Sequence, residues 1–306
     1  MMQEQTAQFC YPPSKPVCKD KLFFLWPNDT IQICNAIRAK KEILRIIIKT
    51  KNDELLIERW IKHYLNILGD DSQIIILDNM STSKIVNDVY EKYNKNLIVI
   101  KFSESYNFVH IVDKFKLLYD AIWDSSCYYT FVDTDEFLYL YDGKKLICDD
   151  RIILYLENNK DINFFSQYWL RNVYFRDDIF TFNNNIKDIH GYIMFGKPII
   201  NSSLLRNKIH RLSMNIHTVH LPVSAYGKSP ACFVLLHRSH LSKEARIRVN
   251  MEKLVTVGVV NSVNDFKSLF NININSVKSK VVKYFINETR ELIEDNICKI
   301  DNDDEI

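Results

Sequence analysis

The segment Tyr128-Tyr129-Thr130-Phe131-Val132-Asp133-Thr134-Asp135-Glu136-Phe137-Leu138 decides how this chain reads. A run of strand-forming residues passes, with no turn signal between, into a cluster of acids. Side chains alternate with period two along an extended backbone, so Asp133 and Asp135 fall on the same side of it. Two neighbouring carboxylates repel each other unless a cation lies near them. Hard oxygen ligands of this kind favour Mg2+ or Mn2+, ions that usually complete their shell with phosphate oxygens. The chemistry that suits such an arrangement is departure of a nucleoside diphosphate. A D-x-D on its own is common as a polar strand end or helix cap, so its weight comes from the segments around it.

Upstream, Ile43–Lys49 is a β-branched run of strand length. Asn52 is placed to cap the next helix, with Asp53 and Glu54 in a first turn that favours negative charge. Ile57, Ile61, Tyr64, Leu65 and Leu68 then recur at helical spacing, and Gly69 supplies the stop. Gln73–Leu77 reads as a second buried strand, and Asp78–Thr82 as a turn capping a helix to about Tyr90. Leu97–Phe102 is a third strand. Val109, Val112, Phe115, Leu118, Tyr119 and Ile122 line one face of a third helix, and Tyr128–Val132 is the fourth strand. Continuous apolar strands alternating with amphipathic helices predict an α/β fold: a Rossmann-like, mostly parallel sheet with helices on both faces. Ligands bind such sheets beyond the carboxyl ends of the strands. Asn52 and Glu54, Asp78, and the acidic cluster all fall there.

Composition narrows the classes. With 47% hydrophobic and 12% aromatic residues the chain can bury a core, and 6 Gly and 7 Pro exclude collagen-like or linker-like readings. Forty basic and 38 acidic residues leave a net charge of +2, without the basic stripe of a nucleic-acid binder. No run reaches the ~18–20 apolar residues of a membrane span, and Met1-Met2-Gln3-Glu4 lacks the basic start of a secretory signal. The seven cysteines (Cys10, Cys18, Cys34, Cys127, Cys148, Cys232, Cys298) form no C-x-x-C pair, which predicts reduced thiols and a cytoplasmic setting.

Three motifs in order carry a resemblance. They are Lys51-Asn52-Asp53-Glu54 with Trp60 and His63-Tyr64, then Ile76-Leu77-Asp78-Asn79-Met80-Ser81-Thr82, then Phe131-Val132-Asp133-Thr134-Asp135-Glu136-Phe137-Leu138. Together they resemble the family-2-like glycosyltransferases, in the branch called glycosyl transferase family 2_4, related to family 92. That pattern runs N-E-x-x-x-L-x-E-W-x-x-H-x-x-x-G, D-N-x-S-x-D, D-x-D-E-F. The match covers Ile43–Leu138 well and the remainder loosely. Ser83 stands where the second Asp of D-N-x-S-x-D belongs, and Asp53 replaces the usual Glu. Late in the chain, His237-Arg238-Ser239-His240-Leu241-Ser242 resembles the family's H-Y-x-x-K/R-S segment, with Leu241 in place of the base.

The resemblance implies a GT-A fold, a nucleotide-sugar donor (a UDP-sugar favoured) and Mn2+ or Mg2+. It places Asn52, Glu54, Asp78, Asn79 and Asp133 at the donor nucleotide. Asp133, Asp135 and His237 become the metal set. It also implies an inverting single displacement, with a base on the acceptor side for which Asp177 and Asp178 are the nearest carboxylates. Tyr168 and Trp169 offer an aromatic face for an acceptor ring. Lys243, Arg246 and Arg248 are either a solvated helix face or a source of one cation for the diphosphate.

The expected organisation is an irregular lead-in over 1–41, then one domain over 42–300. That domain comprises a nucleotide-sugar half (42–142), an acceptor side (143–241) with strands at Asn163–Ser166 and Tyr192–Phe195, and C-terminal helices (242–300) at Lys243–Leu254, Val263–Leu269 and Val277–Ile297. The expected partners are the donor and a glycan or lipid-linked acceptor of surface polysaccharide synthesis. Nucleic acid is not among them, and peripheral contact at the inner membrane face is left open. Two other classes stand beside this reading. A nucleotidyltransferase also uses paired acids, but the chain has no Gly-rich phosphate loop; an inactive nucleotide-sugar-binding module would tolerate Ser83 and Leu241.

Overall fold

Ile46, Ile47 and Ile48 are fully buried in succession, and so are Ile74, Ile75 and Ile76. Strands apolar on both sides need cover on both sides, and this sets the architecture of the computed structural model. It describes residues 23–104, 109, 114–172, 180–182, 196–205, 212–213, 218–219, 233–238 and 242–303. In chain order these form β1 (Phe23–Leu25), α1 (Thr30–Arg38), β2 (Glu42–Thr50), α2 (Ile57–Leu68), β3 (Ile74–Asp78), α3 (Lys84–Lys92), β4 (Leu97–Lys101), α4 (Lys116–Ser125), β5 (Ser126–Val132), β6 (Glu136–Tyr141) and β7 (Leu146–Ile147). There follow α5 (Arg151–Glu157), β8 (Phe164–Asn172), β9 (Phe180–Phe182), β10 (Gly196–Asn201), α6 (Ser202–Leu205), β11 (Leu212–Ser213), β12 (Thr218–Val219), β13 (Phe233–His237), α7 (Lys243–Thr256), α8 (Phe266–Asn271) and α9 (Lys280–Asp303).

One sheet runs in the order β1-β4-β3-β2-β5-β10-β8-β13-β6-β7, with β9 on β8. The pairs β1/β4, β4/β3, β3/β2 and β2/β5 are parallel. β10 is antiparallel to both β5 and β8. This is the mixed α/β architecture, with a mostly parallel central sheet, expected of a GT-A type chain. Ile47, Ile75, Leu77, Ile98, Ile100, Tyr129 and Phe131 share one core cluster with Ile33 and Ile37 of α1 and Leu118, Tyr119 and Ile122 of α4. The alternate residues, Ile46, Ile48, Ile74, Ile76 and Val99, are equally buried and point to the opposite face.

Residues 23–38, expected to be irregular, form β1 and α1 instead. β1 is only three residues long, too short for its period to be read, and its pairing with β4 makes it a strand. The helix stop at Gly69 is as expected, with φ 91° there. Its start is not. α2 begins at Ile57, and Asp53 Oδ1 accepts from the Leu56 amide at 3.2 Å, while Asn52 caps nothing in α2. The third helix begins at Lys116 rather than near Val109. Val112 lies outside the described residues, as does the strand expected at Tyr192–Phe195.

The chain divides into two compact units, Met1–Trp169 with Asn184–Leu235, and Leu170–Asn183 with Leu236–Ile306. The second has its own core of Ile247, Met251, Leu254, Leu269, Ile286 and Leu292. Within it Arg246 is not on a solvated face: it is buried and pairs with Glu288 at 2.7 Å, while Asn250 Nδ2 donates to the same carboxylate at 2.8 Å. Arg248 is exposed and pairs with Glu252. Ser242, a matched position of the late segment, is the N-cap of α7 and accepts from the Ala245 amide at 3.1 Å.

Candidate functional site

The loops after β2, β3 and β5 meet at the carboxyl edge of the parallel strands, because those strands are neighbours in the order β3-β2-β5. Asn52 has φ 49°, a left-handed conformation that Asn tolerates better than most residues. Its amide N–H donates to Ser81 Oγ at 2.8 Å, and its Oδ1 accepts from the Thr82 and Ser83 amides at 2.8 and 3.0 Å. Glu54 accepts from Ser83 Oγ at 2.7 Å, and Ser83 is itself the N-cap of α3. Asn52 and Glu54, expected at the nucleotide, therefore tie the first loop to the second. Ser83, the departure from the family pattern, is the partner that receives them.

Asp78 ends β3 and is fully buried. Its Oδ1 accepts from the Ser81 amide at 2.5 Å, and its Oδ2 has no hydrogen-bond donor among the described residues. Asn79 spends its side-chain amide on the Phe102 and Glu104 carbonyls, at 3.1 and 2.9 Å, which pins the chain leaving β4.

The acidic turn is held from two sides. On one side, α2 grips β6 directly behind it. Tyr64 OH donates to the Glu136 carbonyl at 3.1 Å and accepts from the Leu138 amide at 3.2 Å, and His63 Nε2 hydrogen-bonds the Leu138 carbonyl at 2.9 Å. The His63 ring packs on Phe137 and Tyr139, with centroids 5.2 and 5.0 Å away. The helix motif of Trp60, His63 and Tyr64 and the D-x-D-E-F segment thus meet in space.

On the other side stands Lys197 of β10. Its ammonium pairs with Asp133 and, at 2.8 Å, with Glu136, while Glu136 Oε2 also accepts from the Asp133 amide at 2.8 Å. The side chains of Lys197 and Glu136 are 5% and 1% exposed, whereas that of Asp133 is 45% exposed. Burial disfavours the charge on Lys197, but Asp133 and Glu136 outweigh it and push its pKa above the ordinary lysine value. Burial likewise opposes ionisation of Asp133, and the facing ammonium outweighs that and holds its carboxyl below the usual range. Lys49 of β2 lies in the same field. Burial pulls its pKa down to about 8, against the attraction of Asp133 and Glu136.

Asp53 reaches the turn as well, accepting a hydrogen bond from Thr134 Oγ1. Burial raises its pKa and the charge of Asp135 raises it further, while the Thr134 hydrogen bond works the other way. Sequence reasoning missed Lys49, Lys197, Glu136 and Asp53 as members of this site. The available signals were a lysine inside an otherwise apolar strand and another in Gly196-Lys197-Pro198-Ile199-Ile200.

For the divalent ion expected here, the donor set does not fit as arranged. Asp133 already faces an ammonium. Among the described residues, no three His, Cys, Asp or Glu side chains are grouped to hold an ion. His237 ends β13 and belongs to the second unit. Tyr168 and Trp169 are half-buried on β8. Asp177 and Asp178 lie outside the described residues, as do His240 and Leu241.

No protein-family model matches the chain, and no curated protein matches it in sequence. Solved structures with a similar course include TarS 1-349 of S. aureus in complex with UDP-GlcNAc (16% identity, 82% of this chain and 80% of that one, TM-score 0.38). Another is the mannosyltransferase PcManGT of Pyrobaculum calidifontis in complex with GDP-Man and Mn2+ (9% identity, 83% and 71%, TM-score 0.41). A third is the 4-diphosphocytidyl-2C-methyl-D-erythritol synthase of Anaerococcus prevotii (12% identity, 70% and 99%, TM-score 0.33). All three have TM-scores below 0.5.

Proposed function

We propose that this chain is a GT-A type glycosyltransferase that moves a sugar from a nucleotide-diphosphate donor, preferably a UDP-sugar, to a glycan or lipid-linked acceptor. The observation that carries the reading is the hydrogen bond between Asp53 and Thr134. It joins the loop after β2 to the turn after β5 across 81 residues of sequence. Acids from two separate motifs thereby stand together where an α/β sheet binds its ligand.

Each part has a chemical task in this reading. Asp78 has a buried carboxylate oxygen without a donor among the described residues, which the imide N–H of a base such as uracil could satisfy once the side chains covering it move aside. Asp133 and Asp135 face the sugar end of the donor, where their carboxylates can accept from sugar hydroxyls. An acceptor hydroxyl attacks the anomeric carbon with inversion as the bond from that carbon to the phosphate oxygen breaks and the nucleoside diphosphate leaves with its electron pair; the hydroxyl proton is taken by a carboxylate within hydrogen-bond reach, for which Asp177 and Asp178 are the candidates. No step is routed through the expected Mn2+ or Mg2+, because the Asp133 carboxylate already faces the Lys197 ammonium and no three-ligand group stands among the described residues. The setting proposed is surface polysaccharide synthesis on the cytoplasmic side of the membrane.

The test is slow donor hydrolysis by the purified protein with UDP-sugars. Wild type is expected to release UDP and free sugar, and Asp135→Asn to reduce that rate at least ~100-fold, the scale of one lost transition-state group. A protein that binds no nucleotide sugar, or an Asp135→Asn variant of wild-type rate, refutes the reading.

A further inference from the structure

We propose that Lys197 is a positioning residue: its buried ammonium is the built-in counter-ion that holds the Asp133–Glu136 turn in its working shape before any ligand arrives. The claim that this shape serves the donor rests on the transferase reading above; the claim that Lys197 makes the shape does not.

Three observations carry it. First, the ammonium bridges both ends of the turn, contacting Asp133 and Glu136, while the Glu136 carboxylate closes back on the Asp133 amide. The backbone closes the same four residues through the Glu136 amide and the Asp133 carbonyl at 3.0 Å. Without a cation between them the two carboxylates would repel and pull that turn open. Second, Lys197 is 5% exposed, so it is itself walled off from a ligand, whereas Asp133 is half-open to one. It can therefore act only through the acids it holds.

Third, the strand is shaped to deliver it. On β10, Gly196 pairs with Gln167 and Ile199 with Phe165, so three steps on β10 match two on β8, and the register shifts between them. A bulge re-aims the side chains at the extra residue. Pro198, which has no amide hydrogen to give a ladder, stands inside the bulge and spends its carbonyl on Thr130 Oγ1 of β5 at 2.9 Å. Gln167 Nε2 donates to the Lys197 carbonyl from the other side. The backbone at Lys197 is thus anchored to both neighbouring strands.

The experiment compares wild type with Glu136→Gln/Lys197→Met. That pair removes the two buried charges together, so that only Asp133, which is half-open to solvent, loses its partner, and the amide oxygen of the introduced glutamine can still accept from the Asp133 amide. Lys197→Met alone is the harsher control, because it strands Glu136. Hydrogen exchange over residues 131–138 reads the turn without any ligand. Exchange at least tenfold faster in the double variant, with the thermal midpoint within a few degrees of wild type, is expected; unchanged exchange overturns the proposal. Wild-type protection is expected to be the same in EDTA as in Mn2+, and its loss in EDTA would assign the turn to a metal instead.

Binding separates the proposal from the reading it leans on. The double variant should keep its affinity for uridine and lose at least tenfold for a UDP-sugar such as UDP-GlcNAc. Equal UDP-GlcNAc affinity in the two proteins refutes the positioning role at the donor. Wild type that binds neither uridine nor UDP-GlcNAc refutes the transferase reading, while the exchange result still decides the clamp.

Discussion

At Asp78 one oxygen meets the Ser81 amide and the other meets no donor among the described residues, an arrangement unfavourable for folding. Asp78→Asn keeps the Ser81 contact and removes a buried carboxylate. Its stability is expected to rise by about 1 kcal/mol while UDP affinity falls at least ~10-fold, opposite signs that urea melts and calorimetric titration would read. Lys49 supplies a pH test. Its folded pKa is lowered to about 8 from 10.5, so below about pH 8 the ammonium is present in both states and its full burial cost applies. Between there and 10.5 the unfolded chain binds the proton more tightly, and stability relative to Lys49→Met rises with pH. The whole span is about 3 kcal/mol. A stability gap between Lys49→Met and wild type that stays constant from pH 7 to 10 would contradict this. Among single residues, the acids were legible in the sequence and their partners were not. Asn52, Glu54 and Asn79 could be placed at the site, but only their hydrogen bonds show that they fasten one loop to the next.

Among the elements, β2 shows how a strand and a helix end are joined by one side chain. Arg45 is fully buried in a run that otherwise reads as apolar, and its guanidinium donates to the Lys40, Ile37 and Gln73 carbonyls at 2.8, 3.3 and 3.3 Å. It thereby serves carbonyls at the end of α1, where a helix leaves its last acceptors unpaired. Arg45→Ala is expected to cost about 3–5 kcal/mol in urea denaturation, and Arg45→Lys to recover less than half, since one ammonium cannot span three carbonyls. If Arg45→Ala unfolds like wild type, this joint is unimportant. Elements with long apolar runs, such as β2 through β5, were readable from those runs alone. β1 and α1 were not, since three residues carry too little period and α1 presents Ile33, Cys34, Ala36 and Ile37 on a face recognisable only once α4 packs on it. β6 escaped too, being fused to the acidic motif with no turn residue between.

Over the whole molecule, 40 basic and 38 acidic residues nearly cancel, and among the described residues no helix is long and apolar enough to cross a membrane. A protein with so little charge excess has few counterions to release from a polyanion. Retention of random duplex DNA is expected to be undetectable at about 150 mM salt by fluorescence anisotropy, and micromolar binding there would refute the exclusion of nucleic acid from its partners.

Alternation of apolar strands with amphipathic helices is a local property, and it alone determined the α/β class, the parallel centre and the edge at which the acids gather. What pairs with those acids is not local. Lys197 lies 64 positions from Asp133 and reaches it only because β10 returns antiparallel beside β5 and bulges around Pro198. Period and composition report which residues are buried. Which charges meet depends on strand order and register, and those exist only once the sheet has closed.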